Sequence, residues 1–211
     1  MASNPRWSFL PLTPVLWADF EALFGPRGAC GGCWCMWWRL KHSVYMQKRG
    51  EANHATMKAL VGSGEIPGLL AYDQARPVGW CAVAPRSSFT RLIRSRILAE
   101  VDKEPVWSVV CFFVDKAYRN QGMTVRLLKA ALDHVRRSGG NIVEGYPVQP
   151  RKGRSPDAFA FTGLPSAFKK AGFQEVYRRS ETRPIMRYDL RKNIKAVKKR
   201  TTKNTKGTKG N

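Results

Sequence analysis

The chain has 211 residues, 43% of them hydrophobic, with seven Trp and ten Phe, which suits one sizeable domain with a packed core and excludes a chain disordered throughout. No apolar run approaches the roughly 20 residues that a membrane-spanning helix needs. Residues 1–12 lack the basic start and apolar stretch of a secretory signal, so no membrane partner is expected and the expected compartment is the cytoplasm. The formal net charge is +22, with nine cations and no acid in residues 191–211, so the first 190 residues still carry +13. Such a body favours anionic partners: a polyphosphorylated cofactor, nucleic acid or an acidic surface.

Thr13 as N-cap and Pro14 at the first position open a helix over 14–24 that Gly25 can end. A Gly/Cys loop, 25–35, follows. The aromatic and basic stretch 36–49 reads as helical, and a short helix over 54–61 closes at Gly62-Ser63-Gly64. Two apolar segments, 68–72 and 77–84, flank Asp73-Gln74-Ala75-Arg76 and predict a β-hairpin, stopped by Pro85. Residues 87–101 read as an amphipathic basic helix with Phe89, Leu92, Ile93, Ile97 and Leu98 on its apolar side. The continuous apolar run 106–114 predicts a strand buried on both faces. It breaks into a polar loop, 115–122, and then a helix over 123–137, in which Val125, Leu128, Leu132 and Val135 recur at helical spacing before Gly139-Gly140. Residues 141–148 form another strand. A strand–loop–helix–strand unit implies parallel or near-parallel pairing through a right-handed crossover. A short helix near 165–171 ends at Gly172, and strands over 173–179 and 184–190 close the fold. The Lys/Thr/Gly/Asn stretch that ends the chain has almost nothing to bury and is expected to be disordered.

A loop that leaves a buried strand and enters a helix is a natural anion site, because free backbone N–H groups and the positive helix end converge there. Here that loop holds Arg119, Asn120, Gln121 and Gly122, with Met123 and Thr124 opening the helix. Gly122 would let a phosphate approach the backbone. The segment resembles motif A of the GNAT acetyltransferase superfamily, (Arg or Gln)-x-x-Gly-x-(Gly or Ala) after an apolar strand. Arg119, Gly122 and Thr124 stand at the three marked positions, Thr124 replacing the usual small residue. Ala167-Phe168-Lys169-Lys170-Ala171-Gly172-Phe173 is similar to the family's motif B. Cys33-Trp34-Cys35-Met36-Trp37-Trp38-Arg39 and Glu144-Gly145-Tyr146-Pro147 resemble a bacterial subgroup of the same superfamily.

The resemblance implies an α/β (α+β) fold over residues 1–190, with a mixed twisted sheet, splayed parallel strands and helices on both faces, followed by a basic tail over 191–211. It implies acetyl-coenzyme A as co-substrate, lying between the strands 106–114 and 141–148. Backbone groups of Phe112, Phe113 and Val114 would pair with the pantetheine arm, and amides of Arg119, Asn120, Gln121, Gly122, Met123, Thr124 and Val125 would hold the pyrophosphate. The acetyl group would pass by direct attack, in a ternary complex, to a primary amine on a small molecule or peptide. The alternative to a ligand site is a βαβ unit that binds nothing.

Acetyl transfer to an amine needs a neutral nucleophile, an oxyanion donor and a proton for the leaving thiolate. Motif B often supplies a tyrosine for the last; this chain has Phe168 there. Glu144 is the candidate base, since burial on its apolar strand would raise its pKa, and Tyr146, two residues on along the same face, is the candidate acid. The alternatives are a structural ion pair for Glu144 and a core aromatic for Tyr146. Cys30, Cys33 and Cys35 have the thiol density of a zinc site, but no second Cys pair exists; no metal is assigned, and free thiols are the simpler reading. By the resemblance, Trp34, Trp37 and Trp38 would wall the acceptor pocket. The basic tail suits non-specific binding to nucleic acid or the ribosome, and a non-catalytic module of that kind is the competing account of the protein. Neither a monomer nor a homodimer is demanded by the sequence.

Overall fold

The computed structural model describes residues 7–150 and 161–192; the predicted tail, from 193 on, lies outside them. At the centre is the apolar run, strand β4 (Trp107–Val114). It lies antiparallel to β3 (Arg76–Pro85) on one side and parallel to β5 (Ile142–Gly145) on the other. β3 forms the predicted hairpin with β2 (Gly68–Asp73), which pairs with β1 (Trp7–Pro11). Beyond β5 come β7 (Pro184–Asp189) and then β6 (Gln174–Arg178) at the edge. The sheet order is thus β1-β2-β3-β4-β5-β7-β6, with the parallel β4–β5 pair in the middle.

Each face of the sheet carries its own core. On one, α1 (Trp17–Phe24), α2 (His42–Gln47), α3 (Glu51–Gly62) and α4 (Thr90–Ile93) cover Trp80, Val110, Tyr146 and Ile185. On the other, α5 (Met123–Arg137) and α6 (Pro165–Lys170) cover Val83, Val109, Val143 and Met186. α5 presents Leu127, Leu128, Ala131 and Val135 to the sheet, all fully buried. Each buried leucine contributes on the order of 2 kcal/mol.

Four segments depart from the sequence-based expectation. β1 was not foreseen, being a short edge strand that ends in proline. The 36–49 stretch is a run of turns followed by the six-residue α2, because Lys41 is extended (ψ 151°) and interrupts the helical path. The 87–101 helix reduces to a 3-10 turn and the four-residue α4. Its apparent apolar face fails because Ile93 and Ile97 are 61% and 46% exposed, while the buried Arg86 guanidinium donates to the carbonyls of Leu92 (3.2 Å) and Leu98 (2.7 Å). β5 stops at Gly145, well short of Val148. Thr13 precedes its helix without a side-chain cap.

Candidate active site

The β4–β5 pairing runs only from Trp107↔Val143 to Val109↔Gly145. There β4 bulges: Val83 faces Val109 and Ala82 faces Cys111, so Val110 has no partner on β3. A bulge bends its strand, and past it β4 and the chain after β5 diverge. The Phe112 N–H points into this divergence, where it donates to the carbonyl of Phe161 at 2.6 Å, while Val148 N–H donates to the carbonyl of Gly163 at 3.0 Å. Residues 161–163 therefore bridge the two walls. Because successive amides alternate in direction, Phe113 turns its backbone to β3 opposite Trp80, and its ring packs 5.5 Å from Phe24. Of the three residues expected to face the gap with their backbone, Phe112 and Val114 do and Phe113 does not. The Val114 carbonyl accepts from Arg119 Nε at 3.1 Å, so the Arg119 side chain ties the loop to the end of β4.

That loop is shaped for an anion. Asn120 (φ 60°) and Gly122 (φ 78°) are both left-handed, which turns consecutive amides towards one side. Among the described residues, the N–H groups of 120–124 have no backbone acceptor; Val125 and Arg126 bond back to the Gly122 carbonyl. A Cβ placed on Gly122 would meet no atom within 4 Å, so the approach to these amides is open. With the partial positive charge at the start of the fifteen-residue α5, the residues present fit a pyrophosphate.

Glu144 and Tyr146 are brought together, but inside the protein. Glu144 is 1% exposed and Tyr146 not at all. Arg187 donates to Glu144 Oε1 from Nε (3.0 Å) and Nη2 (2.7 Å), and also grips Asp102 (2.6 and 3.2 Å). The Tyr146 hydroxyl donates to Glu144 Oε2 at 2.9 Å, accepts from Arg86 Nη1 at 2.7 Å and lies 2.9 Å from Ser108 Oγ. Burial, followed by the Glu144 charge, pushes the Tyr146 phenol well above its ordinary value. Burial pulls the Arg187 guanidinium down, but its bonds to Asp102 and Glu144 outweigh this and raise it. Glu144 thus stands in a buried ion pair and Tyr146 in the core, the arrangements set beside a base and an acid as their alternatives. The partners Arg86, Asp102 and Arg187 left no signal in the sequence, since they lie 42 to 58 positions from Glu144.

Phe168 is fully buried, wedged against Gly145, where an added Cβ would come within 2.0 Å of its ring. It stacks edgewise on Phe173 and Phe112. Trp34 belongs to the core (7% exposed), Trp38 (8% exposed) lines a surface pocket together with Lys41, His42, Arg91 and Arg94, and half-buried Trp37 is capped by Arg91 at 3.7 Å. The cysteines are free. Cys35 accepts from Trp80 Nε1 at 3.2 Å, and burial pushes the Cys33 thiol up to about 11. Among the described residues no group of three or more His, Cys, Asp or Glu is placed to hold a metal ion, and no helix is long and apolar enough to cross a membrane.

The fold recurs in solved structures. An acetyltransferase of the GNAT family from Listeria monocytogenes superimposes with a TM-score of 0.54 at 9% identity, over 87% of this chain and 95% of that one. Another, from Streptococcus pneumoniae, gives 0.50 at 14% identity, over 87% and 99%. No curated protein matches the sequence. The model of the acetyltransferase (GNAT) family matches residues 34–147, more than half of the chain, a span that holds β4, the open loop and β5. The chain belongs to the acetyltransferase (GNAT) family, enzymes that use acetyl-coenzyme A as co-substrate.

Proposed function

We propose that residues 1–190 form one N-acetyltransferase domain that passes the acetyl group of acetyl-coenzyme A directly to a primary amine in a ternary complex. The observation that carries this reading is the open set of amides at 120–124 beside a strand gap. The co-substrate supplies an activated carbonyl on a thioester. The amides of 120–124 hold its pyrophosphate, and Gly122 leaves room for close approach. Phe112 and Val114 offer the groove-facing backbone for the pantetheine arm, which displaces the Phe161 carbonyl from the Phe112 N–H. A β4 amide at the bulge is the oxyanion donor. Glu144 and Tyr146 hold β5 in place through Arg86 and Arg187 and do not touch the acceptor. With Phe168 unable to donate a proton, the thiolate departs without help from motif B.

Isothermal titration of nucleic-acid-free protein with acetyl-coenzyme A tests the reading, beside the double variant Arg119→Ala/Gly122→Asp. The expected result is saturable one-site binding that the variant loses, since it sets a carboxylate where phosphate should lie. Absence of binding to folded wild-type protein would overturn it.

A further inference from the structure

Two segments distant in sequence, 38–43 and 91–95, enclose an open cleft of about 640 Å³ beside α2 and α4. The Arg91 N–H joins them by donating to the Trp38 carbonyl at 3.1 Å. Lys41, Arg91 and Arg94 line the cleft, and among the described residues no carboxylate does. Arg91 is fixed there by neutral groups. Its guanidinium lies 3.7 Å from the centre of the Trp37 ring, and Nη2 donates to His42 Nδ1 at 2.6 Å. A guanidinium can only donate, so His42 accepts at Nδ1 and carries its proton on Nε2. Ser95, also in the wall, accepts the Leu98 N–H at 3.1 Å on Oγ, which leaves its own hydrogen to donate. The fold thus gathers three cations from both segments, holds one of them in a set position and places neutral donors between them. A cleft walled by charge of one sign concentrates counter-ions.

Charge and size say which anion. One carboxylate would offset one of the three cations, whereas a phosphomonoester carries roughly −1.5 to −2 at neutral pH and offers three acceptor oxygens. The planar forks of Arg91 and Arg94 suit such a group. The cleft falls within the roughly 300–1,000 Å³ of small-molecule sites and has room for more than a bare phosphate. Trp38 supplies an apolar wall for the carbon body of the ligand. The cleft is not the loop over 119–125. Trp38 and Leu92 belong to the core beneath α1 to α4, and that loop opens α5 on the opposite face of the sheet.

We propose that this cleft binds a small organic phosphate through Lys41, Arg91 and Arg94, at a site separate from that of acetyl-coenzyme A. The inference does not rest on the acetyl-transfer reading. Isothermal titration of the full chain, freed of nucleic acid, compares glucose 6-phosphate with glucose and adenosine 5′-phosphate with adenosine. Inorganic phosphate and an oligothymidylate without terminal phosphates are titrated alongside. Expected is one-site binding of a phosphomonoester at least tenfold tighter than its unphosphorylated counterpart. Arg94→Gln should lose that preference, and because Arg94 is exposed the melting temperature should not fall. Arg96→Gln removes the same charge from an exposed position outside the cleft and should leave the affinity within about twofold. Arg119→Ala/Gly122→Asp should also leave it intact. The proposal is overturned if neither pair is discriminated, if Arg96→Gln weakens binding as much as Arg94→Gln, or if the Arg119/Gly122 variant abolishes it. It is equally overturned if inorganic phosphate binds as tightly as the esters, or if the oligothymidylate outcompetes both of them, which would make the cleft a nucleic-acid contact. Failure of acetyl-coenzyme A to bind the wild type would remove the acetyl-transfer reading and leave these titrations to decide on the cleft.

Discussion

Two glycine-bearing loops in this protein use the same left-handed backbone for opposite ends. In the loop over 25–35, Gly28 and Gly32 are left-handed because they are crowded. A Cβ on Gly28 would fall 2.5 Å from the Trp34 ring, and one on Gly32 would fall 2.4 Å from the Gly50 backbone nitrogen. The carbonyls there are used up internally: Gly28 accepts from Trp34 N–H and Cys33 Sγ, and Gly32 from Asn53 and Gly50. In the loop over 119–125, Gly122 is left-handed with nothing near it, and its neighbouring amides point outward. Positive φ alone therefore says nothing about ligands; what the freed backbone groups meet decides between packing and binding.

Substitution separates the two. Gly32→Ala should be the most damaging change, costing about 4 kcal/mol from overpacking against backbone that cannot retreat plus left-handed strain. A melting temperature within a few degrees of wild type would show that this loop is not packing-limited. Glu144→Gln should cost about 3 kcal/mol, because Arg86 and Arg187 stay buried with half their counter-charge gone. Should the variant instead melt like wild type while turnover collapses, Glu144 is a base after all and belongs with the binding side of the comparison. Gly122→Ala should cost only about 1 kcal/mol of stability yet weaken acetyl-coenzyme A at least tenfold by titration, the reverse of Gly32→Ala. The smallest effect concerns acid. The Arg187 bonds hold the Asp102 carboxyl below its ordinary value of 3.8, so its contribution is complete above that value and fades as pH falls through the lower, folded one. Asp102→Asn should flatten stability against pH in that acid window, measured by chemical denaturation, and leave the neutral range nearly flat.

Much of this arrangement is legible in the sequence, and the reasons for the rest are specific. β4 and α5 emerge from a nine-residue apolar run and a clean helical period, both local signals. The loop between them follows from Gly122 and its setting. Local patterning fails where a distant partner organises the chain. Residues 87–101 look amphipathic but are shaped by Arg86, and the role of Glu144 depends on Arg187 and Asp102, each more than 40 positions away.

The bulge at Val110 has a consequence for how this region can change length. Val109 packs on the α5 side, whereas Val110 and Cys111 both pack on the other, and Phe112 returns to the first. The strand is thus two segments of opposite parity joined by one residue out of phase. Deleting Val110 would join Val109 to Cys111 and restore a single alternation that leaves every residue through Val114 on its present face, Phe112 under α5 and Phe113 in the aromatic core. What would go is the bend, and with it the divergence from the chain after β5. One residue lost from β4 beyond the bulge has the opposite result, since it turns over everything between it and the end of the strand. The groove can therefore be closed by a deletion at the bulge without disturbing either core, whereas the same deletion two residues later would exchange inside for outside.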